Sequence, residues 1–267
     1  MRELERSSPL PPELQPLAIV GAGRLGGVLA RAFRAADVDV IGPLGRRADI
    51  GRAAVVLLCV PDEQIAAAAA AVTPGPLVGH CSGATGLQPL EPHKRFSMHP
   101  LTTITGGEDE LRGAGAAIDG CSSEARACAL ALARALGLRA FEVAPQDRPA
   151  YHAAASMASN FLLALEAAAE QVAAGTGLQR QLLVPLVRRT VENWAALGPQ
   201  RALSGPIVRG DSTTVAAQRA AVAERAPELL ELFDALCRVT QRLAHSAATS
   251  AGADGALSPP AGELPAR

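Results

Sequence analysis

The chain has 267 residues, enough for one or two domains with a sizeable buried core. Apolar residues make up 49%, charged residues 19%, and the formal net charge is −1; nucleic-acid and membrane-surface proteins carry a basic excess, so neither partner is expected. No run of about 18 apolar residues marks a membrane span.

Residues 1–15 are charged and proline-rich, with no hydrophobic signal core, and read as a disordered leader. An apolar strand over 17–20 then stops at Gly21-Ala22-Gly23-Arg24-Leu25-Gly26 and a helix follows over about 24–36. In that setting each glycine has a separate task. Gly21 permits the strand-to-helix turn, Gly23 lets a pyrophosphate reach the backbone, and Gly26 lets helix and strand pack. The amides of Arg24 and Leu25, opening the helix, face the anion with the helix dipole behind them. Further strands are expected at 38–41, 54–60, 77–80, 95–98, 116–118 and 138–143, with helices through residue 72 and at 122–136. Apolar strands separated by helices give an α/β fold, a doubly wound and mostly parallel Rossmann sheet covered on both faces. This dinucleotide-binding domain is placed at 16–146.

Beyond Pro145-Gln146-Asp147-Arg148-Pro149 the pattern becomes all-α, with Asp147 as a plausible N-cap. One long helix is expected from about 148 to 174, a second with Pro185 inside it to 197, a third at 213–224, and a final amphipathic helix from about 227. Residues 147–246 form a helical substrate and dimerisation domain, and 247–267 read as a disordered tail. The alanine-rich helix needs apolar cover, so a homodimer is expected. Five scattered cysteines, Cys59, Cys81, Cys121, Cys128 and Cys237, form no C-x-x-C pair and no metal-ligand spacing. That usage fits reduced thiols, a cytoplasmic location and no bound metal.

An NAD site would end the second strand with an acid for the ribose hydroxyls. Here the strand runs into Gly42, and Arg46 and Arg47 follow. A guanidinium fork suits a 2′-phosphate, which favours NADP over NAD. Two alternatives stay open: the arginines are solvated loop charges, or Asp39 serves a ribose. At the carboxyl ends of the next strands, Val60 and Pro61 shape the path beside the cofactor. His80, Ser82 and His99 line the nicotinamide site or meet the substrate.

The helical half carries Tyr151-His152-Ala153-Ala154-Ala155-Ser156-Met157-Ala158-Ser159-Asn160. At about 100° per residue, His152, Ser156 and Asn160 fall within an arc of about 80°, one polar stripe on a helix of small apolar groups. That stripe is either a satisfied seam between helices or subunits, or it faces a nicotinamide. In the second case His152 supplies a proton and Asn160 holds the substrate oxygen. Arg209 and Asp211, in Ser204-Gly205-Pro206-Ile207-Val208-Arg209-Gly210-Asp211, suggest a substrate carboxylate site, or else an exposed loop with a capping aspartate.

These segments together, with H-C-S-G-A at 80–84 and H-P-L at 99–101, resemble a two-domain family that joins a Rossmann-like domain to a helical domain of unknown function. More distantly the chain is similar to the 6-phosphogluconate dehydrogenase superfamily, including ketopantoate reductase and pyrroline-5-carboxylate reductase. The resemblance implies an NADP-linked oxidoreductase of a small substrate, with a ketopantoate-like 2-oxo acid as first choice. An imine reductase, or an NADP-binding sensor or partner-binding protein without turnover, are the alternatives. One departure bears on all of these. The family's hydroxyacid enzymes carry a lysine four residues before the helix asparagine, and here that position is Ser156; Lys94 is the chain's sole lysine.

Overall fold

A computed structural model describes residues 10–46, 49–106 and 111–254, with backbone alone over 247–254. The chain divides into two compact units, Met1–Asn160 and Phe161–Arg267. The first is built on seven strands: β1 (Leu17–Val20), β2 (Val40–Leu44), β3 (Val55–Leu58), β4 (Leu77–His80), β5 (Arg95–Leu101), β6 (Gly115–Gly120) and β7 (Arg139–Glu142). They form one sheet in the order β2-β1-β3-β4-β5-β6-β7, parallel throughout except where β6 runs against β5.

Alternation along the strands sends side chains to two cores. Leu17, Ile19, Val55 and Leu57 pack with Leu29 and Phe33 of α1 (Arg24–Ala35) and with Cys128 and Leu132 of α3 (Ser123–Ala135). Ala18, Val56, Leu58 and Val78 pack with Ile65 and Ala69 of α2 (Ile65–Ala70) on the other face. Period-two side chains buried on both faces are what make the strands apolar throughout. β1 and β3 are neighbours while β2 lies on the far side of β1, so the connections reverse direction beside β1. A crevice opens outside the carboxyl ends of the strands at such a reversal.

Three local expectations are corrected. The leader was expected to be disordered to residue 15, yet Leu10 is 2% exposed in the core, and Gln15 donates to the Leu10 carbonyl and accepts from the Asp39 amide. β2 continues through Gly42-Pro43 to Leu44. It is an edge strand, where a proline costs no ladder partner on its outer side, and Gly42 adopts φ +107°. The expected helix over 148–174 is two helices, α4 (Arg148–Ala158) and α5 (Asn160–Ala173), broken at Ser159. The Ser159 hydroxyl donates to the Ala155 carbonyl and its amide bonds Ser156, a local alternative to continuing the helix. Asp147 occupies the N-cap of α4 without a side-chain capping bond.

The second unit is helical: α5, α6 (Arg180–Leu197), α7 (Pro199–Ala202), α8 (Ser212–Arg225) and α9 (Leu230–Asp254). The backbone of α9 runs into the expected disordered tail, where the chain is rich in alanine, the best helix former. Within this unit Leu165, Val172, Leu183, Val222, Phe233 and Leu236 line an apolar cavity of about 480 Å³. Arg180 pairs with Glu170 at 2.6 Å, and Arg219 with Asp234 at 2.9 Å. Among the described residues no helix is long and apolar enough to cross a membrane.

Candidate active site at the carboxyl edge of the sheet

The glycine elbow forms as its spacing demands. Gly21 has φ +118°, and a Cβ there would strike the Cys59 carbonyl; a Cβ on Gly26 would run into the carbonyl of Gly21. Both positions are therefore required by packing within the protein. Gly23 differs. It is the N-cap of α1, makes no side-chain cap, and a Cβ there would meet nothing within 4 Å. The helix thus opens, with its first amides unpaired by helix geometry, on free space.

That space is a cavity of about 730 Å³ lined by Val20, Gly21, Ala22, Gly23, Leu44, Gly45, Arg46, Val60, Pro61 and a wall of small side chains including Ala67, Ala68 and Ala71. Of the residues singled out for a nucleotide, Gly21, Gly23, Arg46, Val60 and Pro61 come together here. Arg24 and Leu25 open α1, Gly26 is buried beneath the elbow, and Arg47 lies outside the described residues. Among the described residues no carboxylate lines the cavity. Asp39 precedes β2, five residues from the strand's carboxyl end, so the alternative that it serves a ribose is set aside. The Arg46 guanidinium reaches Gln64 Oε1 at 3.4 Å and is otherwise exposed. A cradle open at Gly23, a cation at the end of β2 and no acid beside it fit a phosphorylated dinucleotide.

Along the same edge, the loops after β3 and β4 are tied to each other. Ser82 Oγ donates to Asp62 Oδ2 at 2.7 Å and accepts from the amides of Ala84 and Thr85, while Thr85 Oγ1 donates to the same carboxylate oxygen at 3.0 Å. The Ser82 hydroxyl is therefore occupied by its own loop. His80 is fully buried; its Nδ1 accepts from the Ser82 amide, so Nε2 carries the proton and donates to the Gly86 carbonyl at 3.0 Å. Burial lowers its pKa, which keeps it neutral, and it shapes the loop rather than facing a ligand.

Gly83, at the apex of that loop, touches two imidazoles. A Cβ there would fall 2.7 Å from the His99 ring and 3.1 Å from that of His152. His99, on β5, lies 2.6 Å through Nδ1 from the Tyr151 hydroxyl, and its ring centroid is 6.5 Å from that of His152. Phe141 packs edge-on against Tyr151 at 5.9 Å. Burial, with the charges of His152 and Arg148, pushes His99 down to about 4, and burial raises Tyr151. Both are therefore neutral at pH 7. The structure thus joins His99 and His152, two of the expected residues. Ser156 lies one turn further along α4, whereas Asn160 belongs to α5 beyond the break, so the three-residue stripe on one continuous helix does not form.

Arg148 was not singled out by sequence. It is 5% exposed, and its guanidinium donates to the Thr85 carbonyl, to Ser97 Oγ at 2.8 Å and to Asp119 Oδ2 at 3.1 Å; Nε is buried without a partner among the described residues. One residue thus fastens the start of α4 to β5, β6 and the loop carrying Gly83. The signal was present: a cation in the first turn of a helix opposes the macrodipole and needs a partner, and Asp119 sits at the end of an otherwise apolar strand.

In the helical unit, Asp211 caps α8, accepting from the Thr214 amide at 3.0 Å and the Thr214 hydroxyl at 2.6 Å, which holds its carboxyl below the usual range. This is the capping alternative that the sequence left open. Arg209 is exposed beside it. The chain's lysine, Lys94, pairs with Glu124 at 2.9 Å on the sheet unit, with both side chains exposed.

Several solved structures share this fold. A Bacteroides fragilis protein described as a candidate NADP oxidoreductase is 21% identical, with a TM-score of 0.74 over 86% of this chain and 99% of its own. A Thermotoga maritima protein whose description states no activity is also 21% identical, with a TM-score of 0.75 over 86% and 100%. A reductive aminase of Aspergillus terreus, in complex with NADPH and ethyl-5-oxohexanoate, is 16% identical, with a TM-score of 0.61 over 85% and 93%. No curated protein matches the chain in sequence. Residues 115–240, from β6 into α9, match the family model described as "Domain of unknown function (DUF2520)", which takes in Asp119, Arg148, Tyr151 and His152. Over those residues the chain is similar to that family, and across both units it shares its fold with these solved structures.

Proposed function

We propose that the protein is an NADP-dependent reductase of a small carbonyl or imine compound. The observation that carries this reading is the sharing of one sheet edge by an open phosphate-binding elbow and a cluster of imidazole and hydroxyl groups. The cofactor would supply the hydride. Gly21, Gly23 and the first amides of α1 would hold its pyrophosphate, Arg46 its 2′-phosphate, and the alanine-lined wall after β3 a flat ring. His99 and His152 would meet the oxygen or nitrogen that gains charge as hydride arrives. Arg209 is the proposed partner of a substrate carboxylate, with a ketopantoate-like 2-oxo acid as the first choice. The fold shared with a reductive aminase keeps cyclic and secondary imines in the same panel. Exposed Phe161, Leu163, Leu182, Leu186 and Trp194 support a homodimer, with a second copy covering the helical unit.

The test is NADPH oxidation, followed optically, with ketopantoate, other 2-oxo acids and cyclic imines. Turnover with one member, reduced at least about 100-fold in His152→Ala, is the expected result. A second reading, nucleotide binding without turnover, is favoured by Ser156 at the family's lysine position and by the placement of Lys94 against Glu124 on the sheet unit. Tight NADPH binding without oxidation by any member of the panel would select it.

A further inference from the structure

We propose that Tyr151 and His99 form a proton path into the site, in which the Tyr151 hydroxyl donates to His99 Nδ1 and His99 Nε2–H faces the substrate. The inference rests on the reductase reading above and names the proton source within it.

The geometry supports the path at each link. The oxygen–nitrogen separation is 2.6 Å, at the short end for an uncharged pair. His99 Nε2 has no hydrogen-bond partner among the described residues, and it is not among the polar atoms sealed from solvent. The ring cannot swing away on one side, because Gly83 lies against its Cε1–Nδ1 edge so closely that even a methyl group would not fit. Tyr151 is braced from another side by Phe141. Arg148, one turn before Tyr151 on α4, is buried, and its Nε–H has no partner among the described residues. Its charge favours a phenolate on Tyr151 and disfavours an imidazolium on His99.

The chemistry balances without storing charge on the imidazole. As hydride adds to the carbonyl carbon, the C=O π pair moves to oxygen. That oxygen takes the proton from Nε2, whose N–H pair stays on the ring. Nδ1 forms a bond to the Tyr151 proton as the phenolic O–H breaks, leaving a phenolate that solvent later reprotonates. His99 ends neutral in its other tautomer, so an imidazole that resists protonation is suited to the task. The groups facing it are Asp62 from the loop after β3, His80 at the end of β4, and Arg148, Tyr151 and His152 from α4; only Asp62 draws a proton towards it.

The experiment has two arms. Nitrogen-15 spectra of the histidines in the wild-type protein report the tautomer directly. Protonated Nε2 and an acceptor-type Nδ1 on His99 are expected, with the Nδ1 signal moving in Tyr151→Phe. In the second arm, Tyr151→Phe is expected to keep its melting temperature and its NADPH affinity within about twofold. It should lose about 100-fold in kcat with little change in KM, and the alkaline limb of its pH profile should disappear. A proton on Nδ1 in the wild type overturns the path, as does full kcat with an unchanged pH profile in Tyr151→Phe. Absence of NADPH oxidation by the wild type with the whole panel removes the reductase reading and the path with it. Wild-type turnover that Tyr151→Phe retains in full removes the path alone.

Discussion

Two glycines three residues apart separate a structural requirement from a ligand's. Gly26 has no room for a Cβ, because the Gly21 carbonyl occupies the space; a Cβ on Gly23 would meet nothing within 4 Å. Gly26→Ala should therefore destabilise the protein by about 1–3 kcal/mol, as overpacking does, whether or not nucleotide is present. Gly23→Ala should change stability by less than about 1 kcal/mol and weaken NADPH binding at least about tenfold. Chemical denaturation and calorimetric titration of both variants check this. Equal stability loss in the two would remove the distinction. The elbow was legible because its three glycines sit between an apolar strand and a helix, and local geometry alone fixes their roles. Arg148 was not, because its partners Thr85, Ser97 and Asp119 are 29 to 63 residues away in sequence and meet it only when the sheet forms. The same holds for Tyr151, which becomes informative only beside His99.

At the level of elements, the departures come from backbone chemistry that competes with pattern. The Gly42-Pro43 pair marks a strand end in an interior strand, yet β2 is an edge and passes through it, moving the carboxyl end from Ile41 to Leu44. This displacement brings Gly45 and Arg46 to the cavity and leaves Asp39 behind. A single serine at position 159 divides a helix that composition alone would continue, and it removes Asn160 from the row begun by His152. Asp211 shows how a residue suited to a substrate site can instead be an element terminator. Asp211→Ala should fray the first turn of α8, with hydrogen exchange at Thr213–Val215 rising about fivefold while the sheet unit is unaffected. Unchanged exchange there would return Asp211 to the pool of substrate contacts.

For the molecule as a whole, two histidines whose pKa is lowered by burial make stability depend on acid. His99 is lowered from 6.5 to about 4, and His80 is lowered in the same direction by its burial. The unfolded chain binds these protons near pH 6.5 and the folded chain does not, so unfolding gains protons as pH falls. Stability is full above pH 6.5 and declines progressively towards pH 4, with His99 contributing on the order of 1–3 kcal/mol. Urea unfolding at pH 7.5 and pH 4.5 measures the loss, and His99→Gln should flatten the difference. A wild-type stability that is equal at the two pH values would contradict the buried, neutral assignment. The helical unit was legible in outline from its 3.6-residue periodicity, and the sheet from its apolar runs. The order of the strands, the antiparallel pairing of β5 and β6, and hence the meeting of His99, Gly83 and Tyr151, depend on contacts that no local window contains.

A reductase of this kind requires the carboxyl edge of the sheet to hold a 2′-phosphorylated nicotinamide dinucleotide. Calorimetric titration of NADPH and NADH into the full-length protein, beside Arg46→Ala, addresses that most directly. A micromolar Kd for NADPH, a Kd for NADH at least about tenfold weaker, and loss of that preference in Arg46→Ala are expected, since a charge-assisted guanidinium–phosphate bond contributes roughly 1.5–3 kcal/mol. No binding of either dinucleotide at millimolar concentration would contradict the reductase reading.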